Sequence, residues 1–371
     1  MKRFIKNIAI LLAPFMLLVA IELTLPVDYF CFRAVEALGV CTFTQYLPGP
    51  FYPWRVLDRE EVGNLAAHTS FAVPHRTHWV TDRYGFRYDE STYSGNQFDV
   101  AIVGDSQIQG SGLTQSDMLD VLLSSRCHVH TYPYASYSLN DFLNDPRFKQ
   151  FPPALVIYSR LESGVLSTPE RRPGRFERSG VYNNRQLLEF VIMGDRVTKM
   201  AILNRASAIG RYWLKKCFRA LHMSAQRQES ELSSYAMLST TGKMLHLTSE
   251  VQQPRPSDGE IEHCARILND YKIELERRGI SFIFFPIPNK SSIYYETVPW
   301  KNPPDSLARL KMATNRYGID AVDSLPAFIA AAKSPESDVL LYQTDDTHWS
   351  RYGVMLAADL LAPKVKALMG K

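Results

Sequence analysis

Ser106 stands in the stretch "AIVGDSQIQ", directly behind an apolar run, and near the far end of the chain "TDDTHWS" sets His348 behind two aspartates. A serine hydroxyl is a poor nucleophile at neutral pH. It needs a base about 2.6–3.2 Å away and, behind that base, a group that fixes the imidazole tautomer. His348 is of the right type for the base. Asp346 stands two positions before it, and Asp345 becomes the orienting group if the turn shifts by one residue. About 240 residues separate serine and histidine, so the two motifs make one catalytic site only if the fold brings them together. Taken singly, each has a plainer role: Gly-Asp-Ser is a common turn, and Asp-Thr-His also caps helices. The expectation is that Ser106 Oγ lies within hydrogen-bond reach of His348, with Asp346 against the other ring nitrogen.

Four further side chains are candidates for lining a substrate cleft. Arg160 ends one apolar run, Lys290 and Tyr294 follow another, and Trp349 adjoins the histidine. Aromatic faces suit sugar rings and a basic group suits an acidic polymer, with ordinary packing as the competing role. The five cysteines (Cys31, Cys41, Cys127, Cys217, Cys264) include no CxxC and no Cys/His zinc spacing, so neither a metal nor another cofactor is expected. Cys31 and Cys41 lie close enough in sequence to pair in an oxidising compartment, or to stay buried thiols.

To present the serine, "FDVAIVGDS" must be a buried strand ending at the nucleophile, and Val100 to Val103 form the continuous apolar run of a parallel strand. Its end is the ligand-binding edge of open α/β sheets, where the Ser106 N–H faces a developing oxyanion. The residues next predict a helix from Thr114 to Ser125, a strand in "HVHTYPYA", a helix from Ser138 to Lys149 and a strand from Ala154 to Arg160. Between residues 161 and 256 the alternation stops, and a largely helical insertion is expected. It includes a basic stretch from Asp195 to Arg219 that faces lipid, an anionic polymer or plain solvent. Alternation resumes with a helix from Gly259 to Arg278, the strand "ISFIFFPIP", a helix from Pro304 to Tyr317 and the short strand "GIDAVDS". Helices from Pro326 to Lys333 and from Tyr352 to Leu368 close the chain. This order predicts an α/β fold, a parallel sheet flanked by helices. The expected catalytic domain is 98–371, interrupted by the insertion 161–256 and preceded by an irregular lead-in at 28–97 rich in Pro, Tyr, Arg and Gly.

Lys2, Arg3 and Lys6 precede an uncharged run from Ile8 to Ile21, which "ELTLPV" extends to Val27. A basic flank before an apolar run predicts a signal anchor over residues 1–27, with a cleaved export signal and a buried core helix as the alternatives. The catalytic part is then expected outside the cytoplasm, attached to the inner membrane and, in a Gram-negative cell, in the periplasm. Apolar residues at 46% and charged residues at 22% exclude a disordered chain and a polytopic membrane protein. A net charge of +4 with no nucleic-acid motif gives no reason to expect a nucleic-acid partner.

"VTDRYGFRYDE", the strand running into "VGDSQIQGSGL", and the terminal "DDTHWSRYG" together resemble the SGNH, or GDSL-like, hydrolase superfamily. The closing "DTHW" and "FFPIPNKSSIYYETVP" are similar more particularly to the SGNH-type O-acetyltransferases of bacterial exopolysaccharides, the alginate acetyltransferases among them. The resemblance covers roughly residues 81–160 and 280–361. It implies an SGNH-hydrolase-like sheet with Ser106 as nucleophile and His348 as base. The Asp-Thr-His-Trp form selects Asp346 as orienting carboxylate, whereas the general Asp-x-x-His form selects Asp345. The implied reaction is transfer of an acetyl group through an acyl-enzyme to hydroxyls of a cell-surface or secreted polysaccharide. An integral-membrane acyltransferase partner that supplies the acetyl group is implied with it.

Several positions depart from the family pattern. The Asp-Thr-His-Trp block follows the serine block here, whereas in the alginate enzymes it precedes it. Ala135 or Ser136 stands where the family places a second oxyanion donor, a glycine, "YSRLES" replaces the Gly-x-Asn block, and Asp82 replaces a lead-in asparagine. Two other activities fit the same residues: an esterase that passes the acyl group to water, and a catalytically silent polysaccharide-binding or scaffold subunit of an export complex.

Overall fold

The computed structural model describes residues 2–24, 31, 33–40, 47, 49–66, 69–135, 138–166, 185–199, 232, 234–300, 304–334 and 339–370. In chain order its strands are β1 (Val56–Glu61), β2 (His75–Val80), β3 (Val100–Gly104), β4 (Thr131–Ala135), β5 (Leu155–Leu161), β6 (Ala236–Leu238), β7 (Leu245–Leu247), β8 (Ser281–Ile287) and β9 (Asp320–Ala321). The apolar runs at β3, β4, β5 and β8 become the centre of one sheet, because strands buried on both faces need no alternation. That sheet is parallel throughout, with order β4-β3-β5-β8-β9.

This order fixes where a ligand can sit. The chain moves outward from β3 to β4, then crosses back over β3 to β5 and continues the other way through β8 to β9. Right-handed crossovers running in opposite directions put their helices on opposite faces. They also leave a crevice at the carboxyl ends of β3 and β5, where the direction reverses. The helix Leu119–Cys127 returns from β3 to β4 and packs against the closing helix Arg351–Met369, while Asp258–Arg277 packs against Ser306–Arg316. Gly104 ends β3 at this crevice. A Cβ there would stand 2.4 Å from Ile108 Cγ1 and 2.8 Å from the Ser159 carbonyl oxygen, so the close approach of the serine turn to β5 requires glycine.

The expected α/β architecture is present, with differences in detail. The helix expected over 114–125 is a 3₁₀ turn, Gln115–Asp117, followed by Leu119–Cys127. The one expected over 138–149 breaks in two, because Asp145 caps a new start and Pro146 occupies its first turn. The lead-in contains an antiparallel pair, β1–β2, and the insertion contains a second pair, β6–β7, as well as the helices Glu162–Leu166, Arg185–Lys199 and Thr248–Gln252. Most of the basic stretch from Asp195 to Arg219, together with Cys41 and Cys217, lies outside the described residues. Lys2–Thr24 forms a helix that contains Pro14 and exposes Leu11, Met16 and Leu17. Among the described residues no helix is long and apolar enough to cross a membrane.

Two buried carboxyls give the fold a pH dependence. Burial pushes Asp120 up to about 7, with Arg87 opposing, and pushes Glu250 up to about 8, with Glu162 adding and Lys290 opposing. Both lie above the unfolded values of about 4, so the folded chain holds more protons across that interval and loses stability as pH rises through it. His246, held down to about 3 by burial and by Lys290, acts in the other direction, but only below its unfolded value near 6.5. Lys290, pulled down to about 8 by burial, begins to restore stability only above that pH. The expected result is a loss of about 1–2 kcal/mol between pH 6.5 and 8 from Glu250 alone. Denaturant melts of the wild type and Glu250→Gln across this range check it: the variant should show the shallower fall, and parallel curves would dismiss the assignment.

Candidate active site

The serine turn is built by its neighbours. Asp105 caps the helix Ser106–Gln109, its Oδ1 accepting from the Gln107 N–H at 3.0 Å while its Oδ2 accepts from the Leu161 N–H of β5 at 2.8 Å. One carboxylate thus ties the turn to the strand across the crevice, and Ser106 is left exposed at the mouth. Behind the turn, the buried Arg87 guanidinium donates to the carbonyls of Gln109 (3.2 Å), Leu113 (2.6 Å) and His78 (3.2 Å) and to that of Gly110, and it lies 3.8 Å over the Trp79 ring. Burial pulls Arg87 down to about 9, which leaves it charged at neutral pH. Asp82 shapes the turn before it, accepting from the N–H groups of Tyr84 (2.9 Å) and Phe86 (2.8 Å) and from the Tyr132 hydroxyl (2.5 Å). The "GFR" lead-in therefore serves as a clamp on the nucleophile loop.

The two distant motifs meet. His348 Nε2 lies 2.9 Å from Ser106 Oγ, and Asp346 Oδ1 lies 2.5 Å from His348 Nδ1 and 3.0 Å from the His348 amide nitrogen, whose N–H it accepts. Asp346 Oδ2 accepts from the Asn64 N–H at 2.8 Å. Burial acts to raise the Asp346 carboxyl, but the His348 imidazole, Arg33 and the Asn64 N–H outweigh it and hold the group well below the usual carboxylate range. Asp346 is thus an anion beside the imidazole. That arrangement fixes the Nδ1–H tautomer and leaves Nε2 to accept the serine proton.

Asp345 has a different task. Its Oδ2 accepts from the N–H groups of Gly63 (2.9 Å) and Val73 (2.8 Å), and its carbonyl accepts from Leu65 at 3.1 Å. It pins the lead-in segment to the base loop. A Cβ on Gly63 would meet the Asp345 carbonyl oxygen at 2.1 Å, so this docking also requires glycine.

Of the four cleft candidates, two need correction. Lys290 is 1% exposed and donates to the carbonyls of Gln343 (2.5 Å), Thr344 (3.2 Å) and Asp346 (3.0 Å). All three of its donors are spent on the base loop, so it shapes that loop and offers nothing to a substrate. Trp349 is fully buried in the main core and holds no cleft wall. Tyr294 is half-buried, its hydroxyl accepting from the Leu341 N–H at 2.9 Å. Arg160 is also half-buried, at the carboxyl end of β5 next to the Leu161–Asp105 tie, and reaches the Gly164 carbonyl at 3.3 Å.

Two residues that sequence reading passed over join the halves of the site. Gln107, 2% exposed, donates from Nε2 to the Thr347 carbonyl at 3.1 Å and accepts at Oε1 from the Trp349 N–H at 3.1 Å. Asn64 binds Thr347 with both ends of its amide, accepting the Thr347 N–H at 3.1 Å and donating to its hydroxyl at 2.9 Å. The signal for Gln107 was its place beside the nucleophile; Asn64 had none beyond a Gly-Asn pair. Gln107→Ala should lower ester turnover by about 10²-fold, the usual effect of misplacing a reacting group by about 1 Å. Steady-state kinetics beside a circular dichroism melt would check this, and wild-type turnover in a folded variant would remove Gln107 from the positioning set.

Among the described residues no group of His, Cys, Asp and Glu is arranged to hold a metal ion. Ala135, at the end of β4, is described, whereas Ser136 is not.

Residues 243–370 match the family model described as SGNH hydrolase-like domain, acetyltransferase AlgX. The chain is also 27% identical over 127 residues to a protein of Pseudomonas aeruginosa described as probable alginate O-acetylase AlgJ; the alignment covers 32% of this chain and 30% of that protein. The chain thus matches less than a third of that relative's length. These matches bear out the resemblance to SGNH-type polysaccharide O-acetyltransferases. The family match contains Lys290, Asp346 and His348; Ser106 lies before it.

Proposed function

We propose that this protein is a serine-dependent O-acetyltransferase that acetylates hydroxyls of a cell-surface or secreted polysaccharide through an acyl-enzyme. The observation that carries the reading is the Ser106–His348–Asp346 geometry, joined to the acetyltransferase-type match over the segment that supplies two of its members. In the first half-reaction His348 Nε2 takes the Ser106 proton as Oγ attacks the ester carbonyl. The tetrahedral oxyanion faces the Ser106 N–H, and the leaving alcohol departs with the proton from His348. In the second, the acceptor hydroxyl gives its proton to His348 and its oxygen to the acyl carbon, and Ser106 Oγ leaves and is reprotonated. Asp346 steadies the imidazolium in both.

The basic flank and exposed apolar side chains of Lys2–Thr24 support a place at the inner membrane, with the catalytic part on its outer side. An integral-membrane acyltransferase, implied by the resemblance, is the proposed acetyl donor. The deciding experiment supplies a small activated acetyl ester with and without an oligosaccharide acceptor. Acetylated sugar supports the transferase. Acetate alone, with removal of acetyl groups from a pre-acetylated polymer, would replace it by an esterase.

A further inference from the structure

The crevice at Ser106 has a neighbour on the same edge of the sheet. A cavity of about 450 Å³ lies beyond the carboxyl ends of β5 and β8, with Glu162, Glu250, Arg255, Asn289, Ser292 and Trp300 in its wall. This volume suits a small ligand. Strands β3, β5 and β8 are consecutive in the sheet, and neighbouring strands lie about 4.8 Å apart, so the β8 end is displaced from the serine turn by about 10 Å. That is the scale of a disaccharide. The cavity also adjoins the catalytic loop: the buried Lys290 that holds the Asp346 carbonyl is attracted by Glu250.

Its polar groups are unequally satisfied. Glu162 Oε2 accepts from the Asn289 N–H at 3.1 Å and the Ser292 hydroxyl at 2.6 Å. Glu250 is 4% exposed; the Ser291 hydroxyl lies near enough to favour its ionised form, and neither that hydroxyl nor Glu250 Oε2 has another partner among the described residues. Trp300 is fixed by its indole N–H, which donates to the Val251 carbonyl at 2.8 Å. An aromatic side chain beside a buried carboxyl that only one hydroxyl approaches suits a sugar ring.

We infer that this cavity is the acceptor subsite, seating a neutral, hydroxyl-bearing sugar residue of the polysaccharide beside the one whose hydroxyl reaches Ser106; the inference rests on the transferase reading above. The hydroxyl is selected by chemistry. It satisfies Glu250 in either protonation state, donating to the carboxylate or accepting from the acid. An ammonium serves only the ionised form. A uronate residue offers hydroxyls too, but its carboxylate must then lie among Glu162 and Glu250, with Arg255 already facing Asp305 at 3.8 Å.

The test is the partition of the acyl-enzyme between acceptor and water, a ratio that a general loss of catalysis does not move. The wild type, Glu250→Ala and Gln253→Trp are given the activated acetyl ester with a neutral gluco-oligosaccharide or an oligomannuronate. Gln253 is exposed at the mouth, so its tryptophan fills the cavity without disturbing the core. The ratio of acetylated neutral sugar to acetate should fall about tenfold or more in both variants, the size of one lost hydrogen bond to a carboxyl. An unchanged ratio in both variants, or a wild-type preference for the uronate, overturns the inference. If the wild type makes no acetylated sugar from either acceptor, it is the transferase reading that fails. Calorimetric titration of the neutral oligosaccharide then judges the cavity alone: binding abolished by Gln253→Trp supports it, and absence of binding ends it.

Discussion

Ser106→Ala is expected to lower turnover of a small activated acetyl ester by about 10⁴–10⁶-fold, the loss seen when a triad nucleophile is removed. The size follows from the site. Ser106 Oγ is the oxygen aligned on His348 Nε2, and removing it leaves neither a covalent route nor an activated leaving group. Little else should change, because the turn is held by Asp105 through Gln107 and Leu161 and not by the serine hydroxyl. A melt of the variant should therefore overlay the wild type while burst and steady-state release both vanish. Retention of a tenth or more of the activity in the purified variant would show that the acyl group travels by another path.

Asp346→Asn should be nearly as damaging, with a fall of about 10⁴-fold in kcat, because an amide beside Nδ1 holds the imidazole in the wrong tautomer. The informative control is one residue away. Asp345→Asn keeps an oxygen for the Gly63 and Val73 N–H groups and leaves His348 untouched, so its effect should appear in stability and hardly in kcat. Parallel kinetics and thermal melts separate the two. If Asp345→Asn proves the one that abolishes turnover in a folded protein, the orienting role passes to Asp345.

The distinction between these aspartates marks how far the sequence could be read. Val100 to Gly104 and Ser281 to Ile287 announce themselves because strands buried on both faces need an unbroken apolar run. Ser106 and His348 are legible for a related reason, since each stands at a fixed offset from such an element or from a local turn. Asp345 and Asp346 are separated only by which of them meets Asn64 and which meets Gly63 and Val73, and those partners lie about 280 residues away in a segment without periodicity. Lys290 misled for a different reason. A lysine is usually found at the surface, but three converging carbonyls of a loop distant in sequence compensate its burial. Trp349 was placed by the same oversight: its neighbour faces the site, while its own ring completes the core under the closing helix.

The contacts that Gln107 and Asn64 make with Thr347 span 240 and 283 residues, so the reactive geometry depends on parts of the chain that are far apart in sequence. Loop closure over such distances is slow and comes after local structure. A chain that has folded only its serine half carries its serine without a base. On the proposed function, it therefore cannot acylate itself or a bystander before it has folded. In refolding, ester turnover should return later than helical ellipticity, and the interval between them times the docking of the turn at 345–349 onto residues 63–64 and 107. On the proposed function, the chemistry of the site would then serve as a clock for maturation.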